Sequence, residues 1–196
     1  MNFVTAVPVT QPLHTNLTAV LGSVVQEALE QQRLVGCVVL VARDGKVVHR
    51  QAGGFADRER NRPMTVETIF RLASVSKPIV SAAALVLVAQ RRLALDDRID
   101  RWPPEFRPRT VDGTAAPITV RQLLSHTAGL GYRFFEANAD GPYARAGVSD
   151  GMDNASHSLK ENLRRIASVP LLYEPGTAWA YSLATDVLGA LIERRH

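Results

Sequence analysis

With 196 residues, 46% of them hydrophobic and 21% charged, the chain has the make-up of one good-sized folded domain or two small ones, and not of a disordered segment. Its net charge is +4, yet it holds only three lysines, Lys46, Lys77 and Lys160, and its arginines are spread from Arg33 to Arg195 and interleaved with acids, as in "DRER" and "LDDRIDR". Such a distribution describes a solvated surface and argues against a nucleic-acid partner.

The first 26 residues carry no Lys, Arg, Asp or Glu. They lack a basic leader, and Thr, Gln, Pro and Asn interrupt each apolar run, so no signal peptide is expected. No stretch reaches membrane-spanning length, and the expectation is a soluble, cytoplasmic protein with no membrane partner. Leu17, Val20, Leu21, Val24, Val25, Ala28 and Leu29 then form a helical stripe facing a core. Two β-branched runs follow in "GCVVLVARDGKVVHRQAGGFAD", and the Asp44-Gly45 pair between them predicts a hairpin. Cys37 within the first run reads as a small buried hydrophobe. His14, His49, His126, His157 and His196 show no ligand spacing with it or with one another, so no metal and no cofactor is expected. A lone hairpin is marginal and calls for further strands, and none of comparable quality follows.

Residues from Pro78 to Leu95 are apolar nearly all round, with a polar end at Gln90 to Arg92, which predicts a helix buried on most sides. "DDRIDRWPPEFRPRTVDGTAAP" reads as a proline-broken loop. In "ITVRQLLSHTAGL", Thr119 and Gln122 fit a capping box and Gly129 a helix stop. Tyr132 to Asp153 lacks a period and reads as a long loop over a site or an irregular connection. Ser158 and Glu161 form a second candidate capping box, and "AYSLATDVLGALIERR" closes the chain as a helix.

"RLASVSKPIV" places Ser74, Lys77 and Pro78 at the head of the apolar helix. Proline fits a helix only in its first turn, so the helix starts close to Ser74 and Lys77 lies one turn along on nearly the same side. A serine needs a base to become a nucleophile, and a lysine serves only if neutral, a form that burial and the positive helix end favour. The same residues also suit an ordinary N-cap with a solvated lysine. In the second half, "EPGTAWAYS" sets Tyr181 behind a Pro-Gly turn, where a phenol can relay a proton if a lysine lowers its pKa.

"TIFRLASVSKP", "VRQLLSHTAGL" and "PGTAWAYSLATDVLGALIE" together resemble the serine β-lactamase and penicillin-binding-protein superfamily, with the best match to class C β-lactamases and family VIII carboxylesterases. The resemblance runs from about residue 17 to the end. It implies an α/β (α+β) β-lactamase/transpeptidase-like fold in a single domain, with a helix and strands at 17–60 and a mainly helical part at 70–196. It implies Ser74 as acylated nucleophile, its N–H as half of an oxyanion hole, Lys77 as base and Tyr181 as proton shuttle. His126 takes a packing or hydrogen-bonding role, while Tyr132 and Trp179 suit either the acyl pocket or the core.

Two departures qualify the match. Tyr181 is followed by Ser182 and Leu183 where the family's β-lactamases carry Tyr-x-Asn, which resembles the esterase branch and implies a small-molecule ester as substrate. A β-lactamase or DD-peptidase is the alternative. The resemblance further implies later strands and a third motif, whereas this sequence stops at His196, fifteen residues past Tyr181. The expectation is therefore the amino-terminal part of a larger hydrolase lacking its carboxyl-terminal strands. It would be slowed by loss of an oxyanion donor and prone to self-association, or else a non-catalytic fragment.

Overall fold

The computed structural model describes residues 4–6, 15–99, 104–153 and 156–195. His14, His196 and the 100–103 portion of the expected proline-broken loop lie outside the described residues. The chain divides into two compact units, Met1–Arg71 and Leu72–His196.

In the first unit, helix α1 (Thr15–Glu30) precedes strands β2 (Gly36–Arg43) and β3 (Lys46–Asp57), which pair antiparallel with Val39 opposite Gln51. Asp44 and Gly45 both take positive φ, 51° and 73°, the conformation that a two-residue hairpin turn requires. The hairpin is not alone. Strand β1 (Val4–Ala6) pairs with the other edge of β3, and β4 (Arg62–Pro63) pairs with its end, making a four-stranded sheet. Gly54 has φ 77°, and a Cβ there would stand 2.3 Å from the Val35 carbonyl oxygen, so this crossing of strand and loop needs glycine. The α1 stripe is narrower than its sequence pattern: Val25 and Ala28 are buried, whereas Val20 and Val24 remain about half exposed.

The second unit is helical. A 3-10 turn (Ala73–Val75) leads into α2 (Ser76–Ala89), followed by α3 (Val120–Leu124), α4 (Pro142–Arg145), α5 (Leu159–Ser168) and α6 (Ala184–Arg195). Helix α6 packs against α2, α3 and α5, and its Val187, Leu188 and Leu191 have no exposed surface. Leu188→Ala is expected to lower stability by about 2–5 kcal/mol, read from urea unfolding, because rigid neighbours leave a void. Helix α2 ends at Ala89, and Arg91 adopts φ 58°. Only its Ala84 and Leu87 are buried, while Ile79, Leu85 and Val86 are 60%, 49% and 54% exposed. The expectation of a helix buried on most sides is thus corrected: neighbours cover one side of it.

Thr119 and Gln122 form the full capping box of α3. At α5 the box is half made. Ser158 accepts the Glu161 N–H, but the Glu161 carboxylate turns to Arg164 and Arg165. Segment 132–153 is not a bare loop, since it holds a 3-10 turn (Arg133–Phe135) and α4, whose first amides at Tyr143 and Ala144 donate to the Glu136 carboxylate.

Candidate active site

Ser74 lies in the middle of the 3-10 turn, exposed, directly after Ala73 with φ 46°. A left-handed alanine is strained, and it is the local feature that turns Ser74 out ahead of α2. Pro78 is the third residue of α2, where a missing N–H breaks no helical bond. This start brings the Lys77 ammonium one turn above the serine. Its Nζ donates to Ser74 Oγ at 3.3 Å and to the Tyr132 phenol oxygen at 2.7 Å.

Tyr181 reaches the same point through backbone bonds to the segment after α3. The Gly176 N–H donates to the Thr127 carbonyl at 2.7 Å, Ala180 N–H to His126 at 3.1 Å and Leu183 N–H to Gly131 at 3.2 Å. Gly129 between them has φ 78°, and a Cβ there would stand 2.4 Å from the Tyr173 carbonyl oxygen. The Tyr132 and Tyr181 rings stack with centroids 5.4 Å apart, and Lys77 Nζ lies 5.2 Å from one centroid and 4.8 Å from the other.

His126 braces this arrangement. Its ring lies against Tyr181 at 5.0 Å, and its Nδ1 accepts the Ser182 backbone N–H at 3.3 Å, with Ser182 Oγ at 3.2 Å. A backbone N–H can only donate, so Nδ1 is unprotonated in this arrangement. Burial, and then the Lys77 charge, hold the His126 pKa below its ordinary 6.5. A lowered folded pKa means that the neutral ring's support is complete above 6.5 and is lost as pH falls through the folded value. The melting temperature is therefore expected to fall more steeply below that pH in the native chain than in His126→Asn, whose amide does not titrate.

Electrostatics separates the two phenols. Burial raises Tyr132 above the ordinary tyrosine value, outweighing its bond from Lys77. Burial also acts to raise Tyr181, but hydrogen bonds with Ser74 and Lys77, together with the lysine charge, bring it below 10. Lys77 itself is raised: burial acts against its charge, and the bonds to Tyr132 and Tyr181 overcome that effect. Lys77 is only partly buried and faces two phenol oxygens, and both features favour its charged form over the neutral one. Tyr181 thus has a cation beside it, 4.8 Å from its ring centroid, and a phenol held below the ordinary tyrosine value.

A cavity of about 330 Å³ opens beside Ser74 and Lys77, with Tyr132, Phe134, Asp150 and Asp186 in its wall. Burial first, and the nearby Asp150 as well, raise the Asp186 carboxyl, while Lys77 acts in the opposite sense. Neither aspartate stood out in the sequence, since the four residues between Tyr181 and Asp186 match no catalytic spacing. Trp179 is 66% exposed and stands edge-on to His126 at 6.4 Å, outside the walls of this cavity. Among the described residues no group of three or more His, Cys, Asp or Glu side chains is placed to hold a metal.

An exposed serine bonded to a lysine that lies between two tyrosines is an arrangement for acyl transfer, and the family model described as Beta-lactamase matches residues 21–196. The chain belongs to the beta-lactamase family. It is 54% identical to esterase EstB of Burkholderia gladioli over 179 residues, covering 91% of this chain and 45% of that one. Among solved structures it is similar to EstCE1, a hydrolase with promiscuous acyltransferase activity, with a TM-score of 0.88 and 50% identity over 91% of this chain and 47% of the other. An octameric penicillin-binding protein homologue from Pyrococcus abyssi gives a TM-score of 0.71 and 26% identity, covering 90% and 39%. The chain therefore spans about half the length of these beta-lactamase-family relatives, and its fold is a partial β-lactamase/transpeptidase-like fold.

Proposed function

We propose that the chain carries the nucleophile and proton-transfer groups of a serine hydrolase acting on small-molecule carboxylic esters. The observation that carries this reading is Lys77 Nζ, 3.3 Å from Ser74 Oγ and 2.7 Å from the Tyr132 oxygen. Ser74 Oγ attacks the ester carbonyl while Tyr181, as phenolate, takes the hydroxyl proton. The Lys77 charge stabilises that phenolate, and the Ser74 N–H donates to the developing oxyanion. The acyl carbon–alkoxy oxygen bond then breaks, and Tyr181 returns its proton to the leaving alcohol. Water, deprotonated by Tyr181, adds to the acyl carbon, and Ser74 departs with the proton.

Leu183 favours an ester over a β-lactam or peptide. It sits two places after Tyr181 and is fully buried, so this position presents no amide to a substrate. Esterase EstB, the 54% identical relative, supports the same choice by its name. Exposed Ile79, Leu85 and Val86 on α2 support self-association, which sedimentation at two protein concentrations reads.

The test is the intact mass of the folded chain after exposure to an alkyl fluorophosphonate, with the adduct mapped by tandem mass spectrometry. One phosphonyl group on Ser74 is expected. No adduct, or an adduct spread over several hydroxyls, overturns the reading.

A further inference from the structure

Tyr132 is a wall shared by two cavities. One is the 330 Å³ space containing Ser74; the other, of about 690 Å³, lies beyond the Tyr132–Tyr181 pair and is bounded by Phe135, Tyr143, Leu171 and Leu172. We propose that this larger hollow seats the leaving alcohol of the ester, and that the alcohol is bulky and apolar. The assignment rests on the serine-hydrolase reading above.

Topology of the walls makes the division. The acyl carbon must be bonded to Ser74 Oγ, and Ser74 lines the smaller cavity and not the larger. The leaving oxygen must receive its proton from Tyr181, and Tyr181 lines the larger cavity and not the smaller. An ester laid across the site thus has its carbonyl at Ser74 and its alkoxy group directed over Tyr181.

The chemistry of the hollow selects an apolar occupant. Val111, Val169, Pro170, Leu171 and Leu172 supply aliphatic surface, and Phe135 an aromatic ring. Its charged group, Glu136, already accepts the N–H groups of Tyr143 at 2.6 Å and Ala144 at 3.1 Å, and the Tyr143 hydroxyl accepts the Gly131 N–H at 2.7 Å. Asn138 is exposed. A sugar or a charged alcohol would find few partners there, whereas a terpene-sized or fused aromatic alcohol matches the volume of an ordinary ligand pocket.

Two readouts test the proposal separately from catalysis. The first is a ¹⁵N NMR titration of the folded chain with 2-naphthol and with butyrate, standing for the two product classes. Naphthol is expected to shift amides of 135–143 and 169–172 saturably, and these shifts are expected to weaken about tenfold or more in Leu172→Asp. Absence of saturable shifts, or naphthol shifts centred on Phe134, Met152 and Thr185 of the smaller cavity, overturns the assignment. The second readout is the rate of Ser74 phosphonylation by two ethylphosphonates that differ only in leaving group, 4-nitrophenol or 4-nitro-1-naphthol. The naphthyl-to-phenyl rate ratio is expected to fall at least about fivefold in Leu172→Asp, and an unchanged ratio overturns the leaving-group role. If neither reagent labels Ser74, the hydrolase reading fails and takes the leaving-group role with it. The titration then decides whether the hollow binds apolar alcohols at all.

Discussion

Lys77→Met is expected to slow fluorophosphonate labelling of Ser74 by about 100- to 10,000-fold at neutral pH, the range over which positioned proton transfer contributes. The reasoning starts from the charge between the two phenols. Lys77 helps to hold Tyr181 below the ordinary tyrosine pKa of 10, so phenolate is available at lower pH. The reactive form is the deprotonated one, and the labelling rate therefore rises as pH rises through the Tyr181 pKa. Without the ammonium that limb moves up towards the ordinary value, and the residual activity recovers only in alkali. A Lys77→Met chain whose limb stays in place would show that the lysine acts in another way.

Tyr181→Phe is expected to lose a similar factor, about 100- to 10,000-fold, and to lose the limb itself. Tyr132→Phe provides the contrast. Its phenol is raised by burial and stays protonated, and losing its charge-assisted hydrogen bond from Lys77 is expected to cost about 10- to 100-fold. The limb persists in that variant. A limb lost in Tyr132→Phe and kept in Tyr181→Phe would transfer the proton-acceptor role to Tyr132 and refute the assignment. The comparison is internally controlled, because both rings belong to one stack and both changes remove a single hydroxyl.

The sequence was most informative where a local rule has a local cause. Asp44-Gly45 predicts its turn because few residues accept positive φ, and both take it. Thr119 and Gln122 predict a helix start because the two hydrogen bonds lie within four residues. Pro78 located the head of α2 to within a turn, and so placed Lys77 beside Ser74. What escaped depends on residues distant in the chain. The cap of α4 comes from Glu136, six residues before Pro142, a distance that no capping pattern covers. Strand β1 is three residues long and exists through its pairing with β3. The half-open surface of α2 follows from which neighbours cover it, and an all-round apolar helix carries no mark of that. The pull of two phenols on Lys77 was not legible for the same reason. Burial could be anticipated from the apolar run, but the phenols that outweigh it lie 55 and 104 positions further along.

The four N–H groups of Leu172, Gly176, Ala180 and Leu183 all donate to carbonyls of the short stretch from His126 to Gly131. They connect the Tyr181 segment to the end of α3 through backbone hydrogen bonds outside any regular sheet. In hydrogen exchange such amides cannot open one at a time without freeing their shared acceptor stretch, so they should exchange as one cooperative group. A substrate that touches Tyr181 then slows exchange as far back as Leu172, and a loosened α3 quickens it at Leu183. The tyrosine is held by a unit that opens or stays closed as a whole.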